Sequence, residues 1–285
     1  MSEKRTILVF TATGKQGSAV IKALDKTKFN TIAATRDASS DAAKALGVEL
    51  VQGSLDDPDS IFAQAKDKSE GGGIWGVLLV LAEQDPETHK KQGLAIIDAA
   101  VRYDVKHVVY SGGDFSGKEV TGIPFFDVKH DIEAHLKQNQ SFRSWTILRP
   151  VGFMENFYWP LYLDQVTTTW PKAKHSTYKL IAVEDIGKIA AEAFENSDQE
   201  KFSKKEINIA GDELTPGEIA DIWKRVTGQT LQAKETPVFP PTFAPAFKFF
   251  DDNQFEADVE KNRRLFPWIS NFESWLKKTP FAQAA

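Results

Sequence analysis

The chain contains no cysteine among its 285 residues. Disulfides, thiolate metal ligands, a cysteine nucleophile and direct thiol redox sensing are therefore excluded. Nothing marks an oxidising compartment. No apolar run approaches the ~18–20 residues that a membrane span requires. The segment Met1–Arg5 leads straight into a strand-like stretch instead of an apolar signal segment. A soluble cytoplasmic protein is expected, with a nuclear location also open and no membrane association. Cationic excess is missing too: 35 Lys and Arg stand against 40 Asp and Glu, a net charge of −5. Direct nucleic-acid binding, which depends on a basic face that releases counterions, is not expected. What is present, 41% hydrophobic and 26% charged residues, is an ordinary globular composition for a chain long enough to bury a large core.

Strand-like and helix-like stretches alternate along the first half. Ile7–Phe10 is an unbroken apolar run, as for a strand covered on both faces. Val20, Ile21 and Leu24 mark a helical stripe after it. Further strands are expected over Thr31–Thr35, Glu49–Gln52, Gly76–Leu81, Val105–Tyr110 and Trp145–Leu148, with helices over Pro86–Tyr103 and Pro124–Gln138. This rhythm implies parallel strands joined by crossover helices, a Rossmann-type doubly wound α/β sheet. After Pro150 prolines and aromatics thicken, from Phe153 and Trp159 to Phe239-Pro240-Pro241. A helix over Val183–Phe194 and a strand over Glu206–Ala210 read as pieces of the first sheet. The expected organisation is thus a dinucleotide-binding domain over residues 1–150, rejoined by 183–211, and a smaller interleaved α/β lobe from 151–182 and 212–285. Thr215 and Glu218 have capping-box spacing with proline between them, and Ser270 and Glu273 repeat the spacing.

The first strand runs into Thr11-Ala12-Thr13-Gly14-Lys15-Gln16-Gly17. A strand, a glycine turn and a helix N-terminus make the setting in which backbone amides and the helix dipole hold a pyrophosphate. Gly14 and Gly17 have the required spacing. Thr11 stands where a first glycine is expected, which implies a wider turn or a site that does not close on a cofactor. About twenty residues on, Arg36 is placed to clamp a 2′-phosphate, favouring NADP(H). Asp37 beside it is the alternative, since an acid there favours NAD(H).

In order along the chain follow Thr35-Arg36, Gly53-Ser54-Leu55-Asp56-Asp57, Gln92–Ala100, Val108–Gly112, Phe126-Asp127-Val128-Lys129 and Leu148-Arg149-Pro150-Val151-Gly152-Phe153-Met154-Glu155-Asn156-Phe157. The series resembles the NmrA-like family of atypical short-chain dehydrogenase/reductases over nearly the whole chain. The resemblance implies pyrophosphate contacts from Thr11, Ala12, Thr13, Gly14, Lys15 and Gln16, and a 2′-phosphate contact from Arg36. It implies adenine contacts from Ser54 and Leu55, and nicotinamide-ribose contacts from Leu81, Ala82, Glu83 and Lys129. Phe153, Met154, Glu155 and Asn156 would border the nicotinamide. Leu81-Ala82 departs from the polar pair common at that place.

The wider superfamily reduces carbonyls with a serine, a tyrosine and a lysine, the tyrosine one helical turn before the lysine. Ser111 and Lys129 match the serine and the lysine, but Phe125 occupies the tyrosine position, and a phenyl ring has no proton to give. Two functions remain. One is an NADP(H)-binding redox sensor or transcriptional regulator that acts through a protein partner with little turnover. The other is an NADPH-dependent reductase of a small carbonyl, quinone or enone. In either, NAD(H) would bind more weakly. Lys129 would shuttle a proton or only hold the ribose, and Ser111 would be an acid–base partner or a strand-end cap. The partner is a regulatory protein or a small-molecule substrate, and a homodimer is compatible. His107, His130, His135 and His175 show no metal-ligand spacing. The phenylalanines at 243, 247, 249, 250 and 255 suit a core, a pocket wall or a partner groove.

Overall fold

The structure, a computed structural model, describes residues 4–82, 85–172, 177–232 and 244–283. The chain falls into two units. The first comprises Met1–Gly113, Pro124–Arg149 and Ile186–Ile207, and the second Asp114–Ile123, Pro150–Asp185 and Asn208–Ala285.

In chain order the sheet elements and their crossovers are β1 (Arg5–Val9), α1 (Lys15–Ala23), β2 (Phe29–Thr35), α2 (Asp41–Lys44), β3 (Glu49–Gln52), α3 (Pro58–Lys68), β4 (Gly76–Leu79), α4 (Pro86–Arg102), β5 (His107–Ser111), α5 (Pro124–Gln138) and β6 (Ser144–Pro150). A seventh strand, β9 (Lys205–Ile209), completes the order β3-β2-β1-β4-β5-β6-β9. The pairings from β3 through to β6 are parallel. The expected Rossmann-type sheet is therefore present. The apolar strand sequences explain it: every residue of β4 and β5 is buried, because helices cover both faces. One face rests on Leu8, Phe10, Ile32, Phe62, Ile96, Tyr110 and Ile132. Gly93 lets α4 lie close on α5, since a Cβ there would come within 2.5 Å of Ile132 Cδ1. The strand order reverses between β1 and β4, and in such sheets ligands bind outside the carboxyl ends at that switch point.

The chain continues through β7 (Gly152–Phe153), α6 (Pro160–Asp164), β8 (Tyr178–Ile181), α7 (Val183–Glu195), β9 (Lys205–Ile209), β10 (Asp212–Leu214), α8 (Pro216–Thr227), α9 (Ala244–Asp252), α10 (Val259–Leu265) and α11 (Phe272–Leu276). A three-stranded sheet, β10-β8-β7, lies in the second unit, with a core of Met154, Phe157, Leu180, Ile219, Trp223, Phe272 and Trp275. Thr215 and Glu218 form the capping box that their spacing predicts. Ser270 and Glu273 do not. Asn271 caps α11 by accepting from the Ser274 amide, while the Ser270 amide donates to buried Asp185. Among the described residues no helix is long and apolar enough to cross a membrane.

Candidate dinucleotide site

The turn after β1 is built around a strained threonine. Thr11 has φ 49°, the left-handed region that a glycine enters freely. For a β-branched residue this costs about 1–2 kcal/mol. The Thr11 hydroxyl donates to the carbonyl of Val80, just past β4, at 2.6 Å, and this bond offsets the strain. A threonine thus takes the glycine conformation and ties the turn to the neighbouring strand. Gly17 is indispensable in the same turn, because a Cβ there would sit 2.5 Å from the Thr11 carbonyl oxygen. Removing the hydroxyl while keeping the branched shape, Thr11→Val, should lower stability by about 1–2 kcal/mol. Thr11→Gly, which also removes the strain, should cost less; urea unfolding of the two variants checks the order.

Gly14 is the N-cap of α1 and provides no side-chain cap, and the first turn carries no acid. By contrast α2, α3 and α4 are capped by Ser40, Asp57 and Asp85, each followed by an acid in the first turn. The amides and positive dipole end of α1 are thus left for an external anion. Thr13 and Lys15 beside them are exposed, while Ala12 is buried.

At the end of β2 Arg36 is exposed, with no hydrogen bond or ion pair among the described residues. Asp37 is differently occupied. Its Oδ1 accepts from the Ser39 amide at 2.8 Å and from the Ser39 hydroxyl at 2.6 Å. These bonds hold its carboxyl below the usual carboxylate range. The Asp-x-Ser pattern is a recognised local turn, and it draws the acid into its own loop. After β3, the Ser54 hydroxyl donates to Asp56 at 3.3 Å, and Gln92 Nε2 donates to the same carboxylate at 3.0 Å. Leu55 and Leu81 pack against the core of the first unit.

Lys129 lies in a cluster with Phe125 and His89. The Lys129 ammonium lies 4.4 Å from the ring centroid of Phe125. His89 meets the same ring edge-to-face at 5.3 Å. The His89 Nδ1 lies 3.3 Å from the Ala82 carbonyl oxygen, and its Nε2 is buried without a hydrogen-bond partner. Burial first, and the Lys129 charge second, lower the His89 pKa to about 4. The imidazole is therefore neutral near pH 7. No sequence pattern singles out His89, because its environment comes from α5 and the β4–α4 loop. Glu83 lies outside the described residues, as do His175 and Phe243.

One turn beyond Lys129, buried Glu133 accepts from Arg149 Nε at 3.1 Å, which fixes α5 to β6. Gly112 makes room for it, since a Cβ there would come within 2.9 Å of Glu133 Oε1. Ser111, at the end of β5, donates its hydroxyl hydrogen to Gln16 Oε1 at 2.7 Å.

Phe153, Met154, Glu155 and Asn156 belong to the second unit. Met154 is wholly buried there. Glu155 accepts from the Val183 amide and from Trp275 Nε1, both at 3.0 Å, so each carboxylate oxygen is engaged inside that unit. Phe153 pairs with Ile181, and the Asn156 carbonyl accepts from the Trp159 amide at 2.8 Å. Phe250 packs on Phe255 with ring centroids 4.5 Å apart.

The NmrA-like family model matches residues 3–273. An NmrA-like family domain-containing oxidoreductase of Aspergillus flavus, lnaB, is 30% identical over 169 residues, 54% of this chain and 49% of that protein. The matched part of the chain spans about half the length of the first such curated relatives. The crystal structure of NmrA, a negative transcriptional regulator, in complex with NADP is similar with a TM-score of 0.74 at 16% identity, covering 98% of this chain and 96% of that one. Triphenylmethane reductase of Citrobacter sp., complexed with NADP(H), gives 0.71 at 19% identity, covering 98% and 100%. At these identities the two structures establish a shared fold.

Proposed function

The chain belongs to the NmrA-like family, and on that premise we propose that it binds NADP(H) in preference to NAD(H) and acts as a cofactor-responsive regulator through a protein partner, with little turnover of its own. The cofactor reading is supported by the uncapped α1 N-terminus, by Arg36 and by the Asp37 carboxylate held in its own turn. The Ala12 amide donates to the Ala34 carbonyl and the Gly14 amide to the Thr11 carbonyl, so the amides of Thr13, Lys15 and Gln16 would hold the pyrophosphate, Arg36 the 2′-phosphate and Lys129 the nicotinamide ribose. The cofactor would supply hydride chemistry.

The observation that carries the low turnover is Phe125. Its ring lies under the Lys129 ammonium where the superfamily's phenol would be, so no phenolic proton is available to a carbonyl. Ser111 does not replace it, because its hydroxyl hydrogen is engaged by Gln16.

A reductase of a small carbonyl, quinone or enone is the second reading. It is favoured by the proton-bearing Lys129 beside the phenyl ring, and by relatives that are named oxidoreductases. Steady-state NADPH oxidation over a panel of carbonyls and quinones separates the two. The regulator reading expects rates at the buffer background for every compound. Sustained turnover that Lys129→Ala removes would establish the reductase instead, and turnover that survives that substitution would reject both roles given to the lysine.

A further inference from the structure

The hydrogen bond between Ser111 and Gln16 joins residues 95 positions apart. Gln16 is the second residue of α1, on the turn after β1, and Ser111 ends β5. In the sheet β4 lies between β1 and β5. The bond therefore spans the carboxyl end of β4, on the side of the switch point away from β2, Arg36 and Ser54. Thr11 is tied to Val80 in the same direction. Two side-chain bonds thus connect the ends of β1, β4 and β5.

A carboxamide has one acceptor oxygen and two N–H donors, and a serine hydroxyl has one hydrogen to give. With the Ser111 hydrogen on Gln16 Oε1, the carboxamide is held with its oxygen toward Ser111, and its Nε2 hydrogens remain to donate. The nicotinamide-side half of a dinucleotide offers phosphate and ribose oxygens, which are acceptors. We propose that Ser111 is a positioning residue: it orients the Gln16 carboxamide as a hydrogen-bond donor to the nicotinamide-side phosphate and ribose, and it does not deliver a proton. The inference rests on the dinucleotide reading above and adds to it a positioning role for Ser111, exerted through the Gln16 side chain.

The test is calorimetric titration with two probes, NADP+ and 2′,5′-ADP. The second carries the adenosine and 2′-phosphate but no nicotinamide ribose. Ser111→Ala and Gln16→Leu should each weaken NADP+ about 3- to 10-fold, and the double variant should be no weaker than either single one. Ser111→Thr, which keeps the hydroxyl, should restore affinity. Binding of 2′,5′-ADP should be unchanged in all four, which also shows that each variant is folded. Additive losses, an unaffected Ser111→Ala or an equal loss of 2′,5′-ADP would overturn the inference while leaving the dinucleotide site standing. If the unaltered protein bound neither probe, the dinucleotide reading itself would fall, and this inference with it.

Discussion

Arg36→Ala should weaken NADP(H) binding roughly 10- to 100-fold and leave NAD(H) binding unchanged. Charge-assisted hydrogen bonds to a phosphate are worth about 1.5–3 kcal/mol, and each 1.4 kcal/mol is tenfold in affinity. The guanidinium follows Thr35 at the end of β2 and has no competing partner among the described residues. A ligand phosphate would therefore not have to displace an internal carboxylate. The one acid adjacent in sequence, Asp37, is turned onto the Ser39 amide and hydroxyl. No ion pair joins it to Arg36 among the described residues, and one of its two carboxylate oxygens is already taken. Because the guanidinium is exposed, the NADP(H) preference should shrink as salt is raised. Calorimetric dissociation constants for both cofactors, with the unaltered protein and the variant, decide the matter. The same NADP-to-NAD ratio in both would end this assignment.

The second large effect concerns acid. His107, at the start of β5, is buried, stacked on Trp75 and set edge-on to Phe194. Its Nε2 lies 3.4 Å from Thr146 Oγ1, and its Nδ1 has no partner. Burial, with a smaller effect from the Arg5 charge, lowers its pKa to about 3. An unfolded histidine takes up its proton near pH 6.5. The folded protein therefore binds fewer protons between these values. The stabilisation is complete above about pH 6.5 and is lost as pH falls toward 3. His89 adds a similar loss, ending near pH 4. From pH 7 to pH 5 the two should remove about 3–4 kcal/mol of unfolding free energy, roughly half from each. Urea midpoints at the two pH values measure the loss. His107→Gln, which cannot titrate, should reduce the difference by about half. An unchanged difference would show that this imidazole is not kept neutral in the folded protein.

Much of the site is legible in the residues because its grammar is local. Gly14 and Gly17 lie three apart after an apolar strand, and the turn they make depends on a few consecutive dihedrals. Arg36 is placed by the length of one helix and one strand. The Asp37–Ser39 turn is local as well, and the pattern Asp-x-Ser carries it, yet the sequence leaves Asp37 as a rival to Arg36. Sequence alone assigns a residue's reach; whether a shorter bond has already used the carboxylate is decided in three dimensions. The cap of α11 shows the same limit: Ser270 and Asn271 are both cap formers, and Asp185, 85 positions away, engages the Ser270 amide.

By itself the sequence determined the alternation of strands and helices, the glycine turn, the arginine after β2 and the absence of a phenol at position 125. All of these follow from side-chain period, turn chemistry and residue type within short windows. The strand order, with β4 inserted between β1 and β5, was decided only by the tertiary structure. That order lets Thr11 reach Val80, and Gln16 reach Ser111, across 69 and 95 residues. It also folds α5 beside α4, so that Lys129 and His89 share one phenyl ring. Hydrogen bonds and ring contacts depend on distances of a few ångströms, and periodicity along a chain carries no information about distances between segments so far apart.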